Sequence, residues 1–226
     1  MKAKLFLAVV LLMVCGTSHA QFSNTGSLSS ASSSTSDWNT LYLQWNPFSL
    51  NAEYEGETES VSFTGFSIGY NHAFVLSKSV PIFLETGLGV QYSFHKEKKE
   101  DENDPSDKTE IISAKVPLNL GYKWDLPNSH VSLIPYAGVN FRYNISAKEK
   151  IKFDSEYYKY MNETYDLFDD EDTDGYPMKH FQVGWQVGLS LKIKSLLIGA
   201  SYGADFSEIA ENVKVHTTSV TLGVCF

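Results

Sequence analysis

The sequence predicts an all-β fold, an eight-stranded antiparallel up-and-down transmembrane β-barrel. Two observations support this prediction: runs of alternating apolar and small or polar residues recur along the chain, and the connections between them are alternately short and long. The last run shows the period clearly, because Val220, Leu222, Val224 and Phe226 share one face and the residues between them are small. An apolar face of this kind needs either a packed layer or lipid to cover it.

Alternation predicts each strand in turn. The eight predicted strands cover residues 41–46, 66–72, 82–95, 112–124, 132–145, 181–192, 198–206 and 213–226. The third and fourth have about the length that a tilted strand needs to cross a bilayer. The sixth is the most regular: Phe181, Trp185 and Leu189 lie on its apolar face, and Gln182 and Gln186 on its polar face.

The apolar faces of the other strands follow the same rule. They carry Leu41, Leu43 and Trp45 in the first, Phe66 and Ile68 in the second, Leu84, Leu88 and Val90 in the third, Val116, Leu118 and Trp124 in the fourth, Leu133, Val139 and Phe141 in the fifth, and Ile198, Ala200 and Tyr202 in the seventh. Val61 and Phe63 precede the second strand out of phase with it. Their position predicts a bulge near Thr64 or Gly65.

The lengths of the connections give an independent signal. Short links cover residues 77–80, 125–130 and 192–195, and long polar links cover 51–59, 96–110, 147–180 and 207–212. Alternation of short and long links places the tight turns at one rim and the long loops at the other. Transmembrane barrels have this arrangement, with short periplasmic turns and long extracellular loops.

Lipid outside the barrel fits the composition of the two strand faces. The polar faces are rich in Gly, Ser, Asn and Gln, which fill a narrow lumen, and the opposite faces form a continuous apolar band. Unpaired backbone groups are costly in hydrocarbon, so a sheet that spans a membrane must close on itself. We therefore expect residues 41–45 and 220–226 to be neighbours.

The amino terminus predicts secretion. Lys2 and Lys4 precede an apolar stretch, and Ala20 ends a small-x-small cleavage site, so residues 1–20 are predicted to be a signal peptide. A lipoprotein site at Cys15 is disfavoured because Val14 precedes it. Residues 21–37 are predicted to be a flexible Ser-rich tail, followed by a barrel domain over 38–226.

Charge and cysteine content exclude two further features, nucleic-acid binding and an intramolecular disulfide. Loss of Lys2 and Lys4 changes the formal charge from −9 to −11, and an acidic chain without a basic cluster argues against nucleic acid as a partner. Only Cys225 remains after cleavage, so no intramolecular disulfide is expected.

The chain resembles the small porin-family, OmpA-like outer-membrane β-barrel domain. The resemblance covers roughly Trp38 to Phe226 and is carried by residues 84–89 (LETGLG), 116–124 (VPLNLGYKW), 134–138 (IPYAG) and the closing strand. It implies an integral protein of the cell outer membrane, with outer-membrane lipid around it and Phe226 as the signal that the insertion machinery reads. We expect no peptidoglycan-binding domain after Phe226, unlike full-length OmpA-type proteins.

Charged residues on the predicted lumen face form the first candidate site. Five charged residues occupy positions that alternate with the apolar ones and therefore face the predicted lumen: Glu85, Lys115, Lys123, Arg142 and Asp205. They could line a small pore or pair across the lumen and close it. Pairing is favoured because eight strands leave room for little beyond side chains.

A second candidate lies in the predicted loop 147–180. Asp170, Asp172, Asp174 and Gly175 match the first half of a calcium loop, but Phe181 stands where the twelfth, acidic ligand is required. The alternative is a solvated acidic loop, and no cofactor is expected elsewhere.

Five tyrosines in the same loop indicate a surface for contact with a ligand or partner: Tyr157, Tyr158, Tyr160, Tyr165 and Tyr176. We therefore interpret the protein as a structural or surface-interaction barrel, not an enzyme. A narrow porin-like channel for small solutes is the alternative. A lipid A-modifying enzyme is less favoured, since Ser93 and His95 share a strand face but Glu85 is too far along the strand to orient the histidine.

Overall fold

The structure is a computed structural model that describes residues 36–54, 57–77, 79–97, 105–127, 129–153, 159–173 and 175–226. The predicted signal peptide and nearly all of the Ser-rich tail lie outside these residues. Among the described residues, no helix has the length and apolar character needed to cross a membrane.

Nearly all of the described chain is β-structure. The strands are β1 (Trp38–Trp45), β2 (Phe48–Tyr54), β3 (Glu57–Val75), β4 (Ile82–Lys96), β5 (Ser106–Tyr122), β6 (Trp124–Asp125), β7 (Val131–Lys152), β8 (Glu163–Asp166), β9 (Phe181–Ile193), β10 (Leu196–Asp205) and β11 (Val213–Cys225). One turn of 3-10 helix spans Lys159–Met161. The short β6 and β8 pair only with β7.

The strands close into an antiparallel ring. Both β1 and β2 pair with β3 on one side and β11 on the other, so they are one barrel strand interrupted at Asn46 and Pro47. With β3, β4, β5, β7, β9, β10 and β11 they make eight barrel strands in the described chain. Leu41 lies opposite Val224 on β11, which confirms that the first and last strands are neighbours.

The predicted orientation of the two strand faces is confirmed. Phe181, Trp185 and Leu189 are exposed on the outside of the ring, whereas Gln182 is fully buried and Ser190 nearly so. The same alternation holds on β11, where Leu222 is exposed and Cys225 is buried. The large apolar side chains therefore form an outer band, and the small polar ones fill the interior.

The predicted bulge in the second strand is wrong. Phe63 pairs with Phe48 and Thr64 with Phe94 in an unbroken register, so the strand has no extra residue there. Phe63 differs from its neighbours only because it is a large apolar side chain that points inward. The register shift instead lies in β7, where Ser113 is opposite Asn144 and the preceding Ile112 is opposite Ser146.

Several strands extend well beyond the predicted boundaries. β2 and β3 leave only residues 55–56 between them, and β7 runs to Lys152, deep into the predicted loop 147–180. Backbone pairing continues in water, but there neither face needs to be apolar, so alternation no longer marks the strand. The long-loop rim therefore carries a β-sheet wall above the apolar band.

Candidate functional site

The lumen begins at the short-turn rim with an apolar layer, which we call the lower layer. It consists of Trp38, Ala73, Phe83, Ile134, Leu197 and Cys225. The rings of Trp38 and Phe83 meet edge to face with centroids 4.8 Å apart. The lower layer fills the barrel at this level with mostly apolar side chains, and the indole N–H of Trp38 is buried there without a hydrogen-bond partner.

A polar layer follows, and it contains most of the charged residues predicted to face the lumen. Arg142 Nη2 lies 3.2 Å from Asp205 Oδ1, and both side chains are 6% exposed. Lys115 is directly opposite Arg142 and donates to Gln44 Oε1 at 3.4 Å. These groups form a compact cluster of two cations and one anion at one height of the barrel.

Glu85 and Lys123 lie apart from that cluster. Glu85 accepts a hydrogen bond from Asn119 Nδ2 at 3.0 Å on the inside of the barrel. Lys123 lies at the short-turn rim, where its ammonium is 3.2 Å from the carboxylate of Asp125. The parity of Lys123 is the same as that of Lys115, but its height on the strand places it beyond the lumen.

Amides that the sequence did not single out complete the polar layer. Asn46 Nδ2 donates to Ser67 Oγ at 2.6 Å, and Asn144 Nδ2 donates to Gln182 Oε1 at 3.1 Å. All four of these residues are buried. Their inward parity was predictable, but their partners depend on side-chain geometry across the lumen.

A second apolar layer, the upper layer, lies above the polar layer. It consists of Phe48, Phe63, Ile111, Ala147, Ile209 and Val215. Phe48 and Phe63 stack with centroids 4.8 Å apart and an interplanar angle of 7°. The phase change at Val61 and Phe63, which predicts a bulge, is in fact the sequence signal of this layer.

The third long loop, which connects β7 to β9, folds inward over the upper layer. Leu167, Phe168 and Met178 pack against it. Backbone bonds hold the loop in place: Leu167 N donates to Ala147 O at 3.0 Å, and Lys179 N donates to Ile209 O at 2.7 Å. The long-loop end of the barrel is therefore covered by the chain itself.

The same loop presents aromatic and acidic side chains to solvent. Tyr160 is 80% exposed and Tyr176 is 53% exposed. Tyr157 and Tyr158 lie outside the described residues, whereas Tyr165 is on β8. The exposed tyrosines lie in a stretch that also carries Asp169, Asp170, Glu171 and Asp172.

The candidate calcium ligands are only partly described. Asp172 Oδ2 accepts a hydrogen bond from Asp166 N at 2.8 Å, and the carbonyl of Asp170 accepts one from Gly175 N at 3.0 Å. Asp174 lies outside the described residues. Within the described residues, no three His, Cys, Asp or Glu side chains are grouped closely enough to hold a metal ion. Calcium binding by this loop stays a prediction.

Ser93 and His95 each hydrogen-bond to another group. Ser93 is buried and its Oγ accepts from Gln91 Nε2 at 2.7 Å. His95 Nδ1 lies 2.7 Å from the carbonyl oxygen of Ser62. A nucleophilic serine requires a base within hydrogen-bond reach, and these contacts direct the two side chains to different partners.

The chain terminus completes the ring. Phe226 N donates to Asn39 O at 3.0 Å, and Asn39 N donates to Phe226 O at 2.9 Å. The ring of Phe226 is 70% exposed at the short-turn rim. Its role as an insertion signal stays a prediction.

A closed antiparallel barrel with an apolar outer band and a polar interior defines an integral outer-membrane protein. The chain belongs to the outer membrane protein beta-barrel domain family, whose model matches residues 18–209. No curated protein sequence matches the chain.

Solved barrels show distant similarity. Ail, the attachment invasion locus protein of Yersinia pestis, solved with the heparin analogue sucrose octasulfate, is 15% identical over 84% of this chain and 99% of its own, with a TM-score of 0.45. Neisserial surface protein A is 16% identical over 82% of this chain and 97% of its own, with a TM-score of 0.41. The outer membrane enzyme PagL is 8% identical over 82% of this chain and 98% of its own, with a TM-score of 0.38.

Proposed function

We propose that this protein is a closed barrel that acts at the cell surface through its extracellular loops, with a structural or surface-interaction role. The observation that carries the proposal is the filling of the lumen. The lower layer and the upper layer are both apolar, and the paired Arg142 and Asp205 lie between them. A hydrated solute would have to lose its water twice to pass.

Packing in the polar layer supports the same proposal. The cavities there have volumes of about 60 and 20 Å³. These volumes suit a few ordered waters at most. Tyr42 lies across the lumen against Gly69 and Gly89, where an added Cβ would collide with the tyrosine hydroxyl. The interior therefore resembles a packed core more than an aqueous pore.

Electrical recording separates this proposal from the narrow-channel alternative. We expect the purified protein in planar lipid bilayers to give no regular unitary current steps, because two dry layers block the path. A porin reconstituted in the same lipid serves as the positive control. Truncation of the upper layer alone, by Phe48→Ala with Phe63→Ala, should still give no steps, since the lower layer remains. Stable openings of uniform size in the unmodified protein would establish the channel instead.

The surface role is carried by the third loop. Tyr160, Met161 and Tyr176 are exposed there, the acidic residues 169–172 lie between them in the sequence, and exposed apolar surface of this kind marks contact sites. A barrel with a filled lumen leaves the extracellular face as its main surface for binding a soluble partner. This chemistry suits a partner that prefers an aromatic and acidic surface.

Attachment of intact cells tests the surface role. Cells that produce the protein, the Tyr160→Ser/Tyr176→Ser variant or no protein are applied to immobilised mucin, lysozyme and serum albumin. We expect production of the protein to raise attachment to at least one of the first two surfaces, and the double variant to lose most of the gain. The matched control replaces the lipid-facing Tyr202 by Ser. Equal attachment with and without the protein on all surfaces would contradict the proposal.

We also infer that the protein is not a lipid A hydrolase, on the strength of the separate partners of Ser93 and His95. Mass analysis of lipid A from cells with and without the protein tests this inference. A change in the number of acyl chains would overturn it.

A further inference from the structure

A cavity of about 250 Å³ lies at the extracellular mouth, above the upper layer. Phe63 and Ile111 form part of its floor, and Leu50 and Met178 part of its apolar wall. It is several times larger than either cavity in the polar layer. It is near the lower end of the volumes of small-molecule sites, which begin at about 300 Å³.

Among the described residues, three carboxylates also line this mouth cavity: Glu97, Asp107 and Glu149. They come from three neighbouring barrel strands, because Glu97 directly follows β4, Asp107 is on β5 and Glu149 is on β7. Asp107 Oδ1 is buried and has no hydrogen-bond partner. Burial, a hydrogen bond with Asp107 and the charges of Asp107 and Glu97 together raise the pKa of Glu149 to about 7. The described lining of the cavity therefore holds three carboxyl groups and no lysine or arginine.

Two lysines of the described sheet wall are engaged elsewhere. Lys108 and Lys150 point to the outside of the sheet wall, where both donate to the carboxylate of Glu110. Their ammonium groups lower the pKa of Glu110 to about 2. Among the described lining residues, only His95 can carry a positive charge, and its Nδ1 is already directed at the Ser62 carbonyl.

The spacing of the carboxylates distinguishes between kinds of cation. Asp107 and Glu149 are within hydrogen-bond reach of each other, but no three such side chains in the described chain are close enough to hold a metal ion. The apolar floor and wall would also be left unoccupied by a bare ion. An ammonium or guanidinium group on an aliphatic stem matches both parts of the lining, with the cation at the carboxylates and the stem against Phe63, Ile111 and Met178.

We propose that the mouth cavity binds an organic cation, an amine carried on a short hydrocarbon stem. Two sources share this chemistry: a free aliphatic amine and the lysine side chain of a peptide. The site is separate from the exposed tyrosines of the third loop. The surface role can therefore be wrong while the cavity binds an amine, and the cavity can be empty while the surface role holds.

Calorimetric titration of the refolded protein in a neutral detergent tests the site. The probes are n-butylamine, with 1-butanol and butyrate as uncharged and anionic analogues, and the peptide acetyl-Ala-Lys-Ala-amide, with its Gln counterpart. We expect saturable binding of butylamine only among the three small molecules. Binding of the lysine peptide as well would assign the site to peptide side chains, and its absence would assign it to free amines.

Charge-neutral variants locate the binding. Asp107→Asn and Glu149→Gln should each weaken butylamine binding about tenfold, because a charge-assisted contact in the cavity is lost. Glu211→Gln removes one acidic charge from an exposed position on the same side of the membrane and should leave binding unchanged. An equal loss in Glu211→Gln, or wild-type affinity in both cavity variants, would overturn the proposal.

A measurement on the unmodified protein guards against variants that fail to fold. With methyl-labelled methionine, butylamine should shift the Met178 resonance saturably and leave the exposed Met161 resonance in place. Absence of saturable binding and of a Met178 shift would contradict the proposal.

Discussion

Replacing Asp205 by Asn will destabilise the folded barrel by about 3–5 kcal/mol, the usual cost of removing one partner from a buried ion pair. Asp205 is the acid of the central cluster, where Arg142 lies 3.2 Å away and Lys115 is opposite Arg142. The variant keeps the shape of the side chain, so packing should change little. Its cost comes from the Arg142 guanidinium, which stays charged and remains buried in the lumen without an anion.

Urea titration of the refolded protein in liposomes measures this change. Asp125→Asn is the matched control, because it removes the partner of Lys123 from an exposed rim, and such pairs contribute about 0–1 kcal/mol. The double variant Arg142→Met/Asp205→Leu should recover much of the lost stability, since an apolar pair replaces a buried charged pair at little cost. A loss in Asp205→Asn no greater than in Asp125→Asn would show that the lumen is hydrated enough to screen the charges.

The outer surface of the barrel could be predicted because a strand in a membrane has a simple rule. Leu41, Val187 and Leu222 face lipid, and their neighbours along the strand face inward, so the period of two appears directly in the sequence. Ring closure follows from the same physics, because hydrocarbon does not tolerate an open sheet edge.

The apolar layers inside the barrel could not be predicted from that rule. Phe63 and Val215 have the parity of the inward face, but a large apolar side chain there breaks the alternation of apolar and polar residues, so the sequence does not separate an inward apolar residue from a bulge. Ile209 is fully buried in the upper layer although it lies in a predicted polar loop. Its burial depends on the third loop folding across the mouth, which only the assembled structure shows.

The lining of the mouth cavity could not be predicted from the sequence either. Asp107 and Glu149 fall within segments that the sequence predicts to be loops, where no side chain has a defined direction. The structure extends β5 and β7 through these segments and thereby turns both carboxylates inward. For the charged residues of the lumen, the alternation along each strand predicts which side chains face inward. It does not predict the pairing of Arg142 with Asp205, which depends on their equal height in the barrel.

Arginine in place of Val187 should destabilise the barrel in lipid by about 2–4 kcal/mol, the cost of a basic side chain at the bilayer midplane. Val187 lies at the middle of β9, between Ala137 and Tyr202 on the neighbouring strands, and its side chain is exposed on the outer band. In water the same substitution would add a solvated charge at almost no cost. The size of the loss therefore reports which solvent touches this face.

Phe181→Arg on the same strand is the matched control, because it places the same charge near the end of the apolar band, where the cost falls to about 0–1 kcal/mol. Unfolding of both variants in liposomes should give two clearly different free energies. The difference should shrink in a lipid with shorter acyl chains, since the arginine at position 187 then lies nearer to the headgroups. Equal losses at the two positions would mean that depth has no effect, and the outer band would then not be in contact with a bilayer.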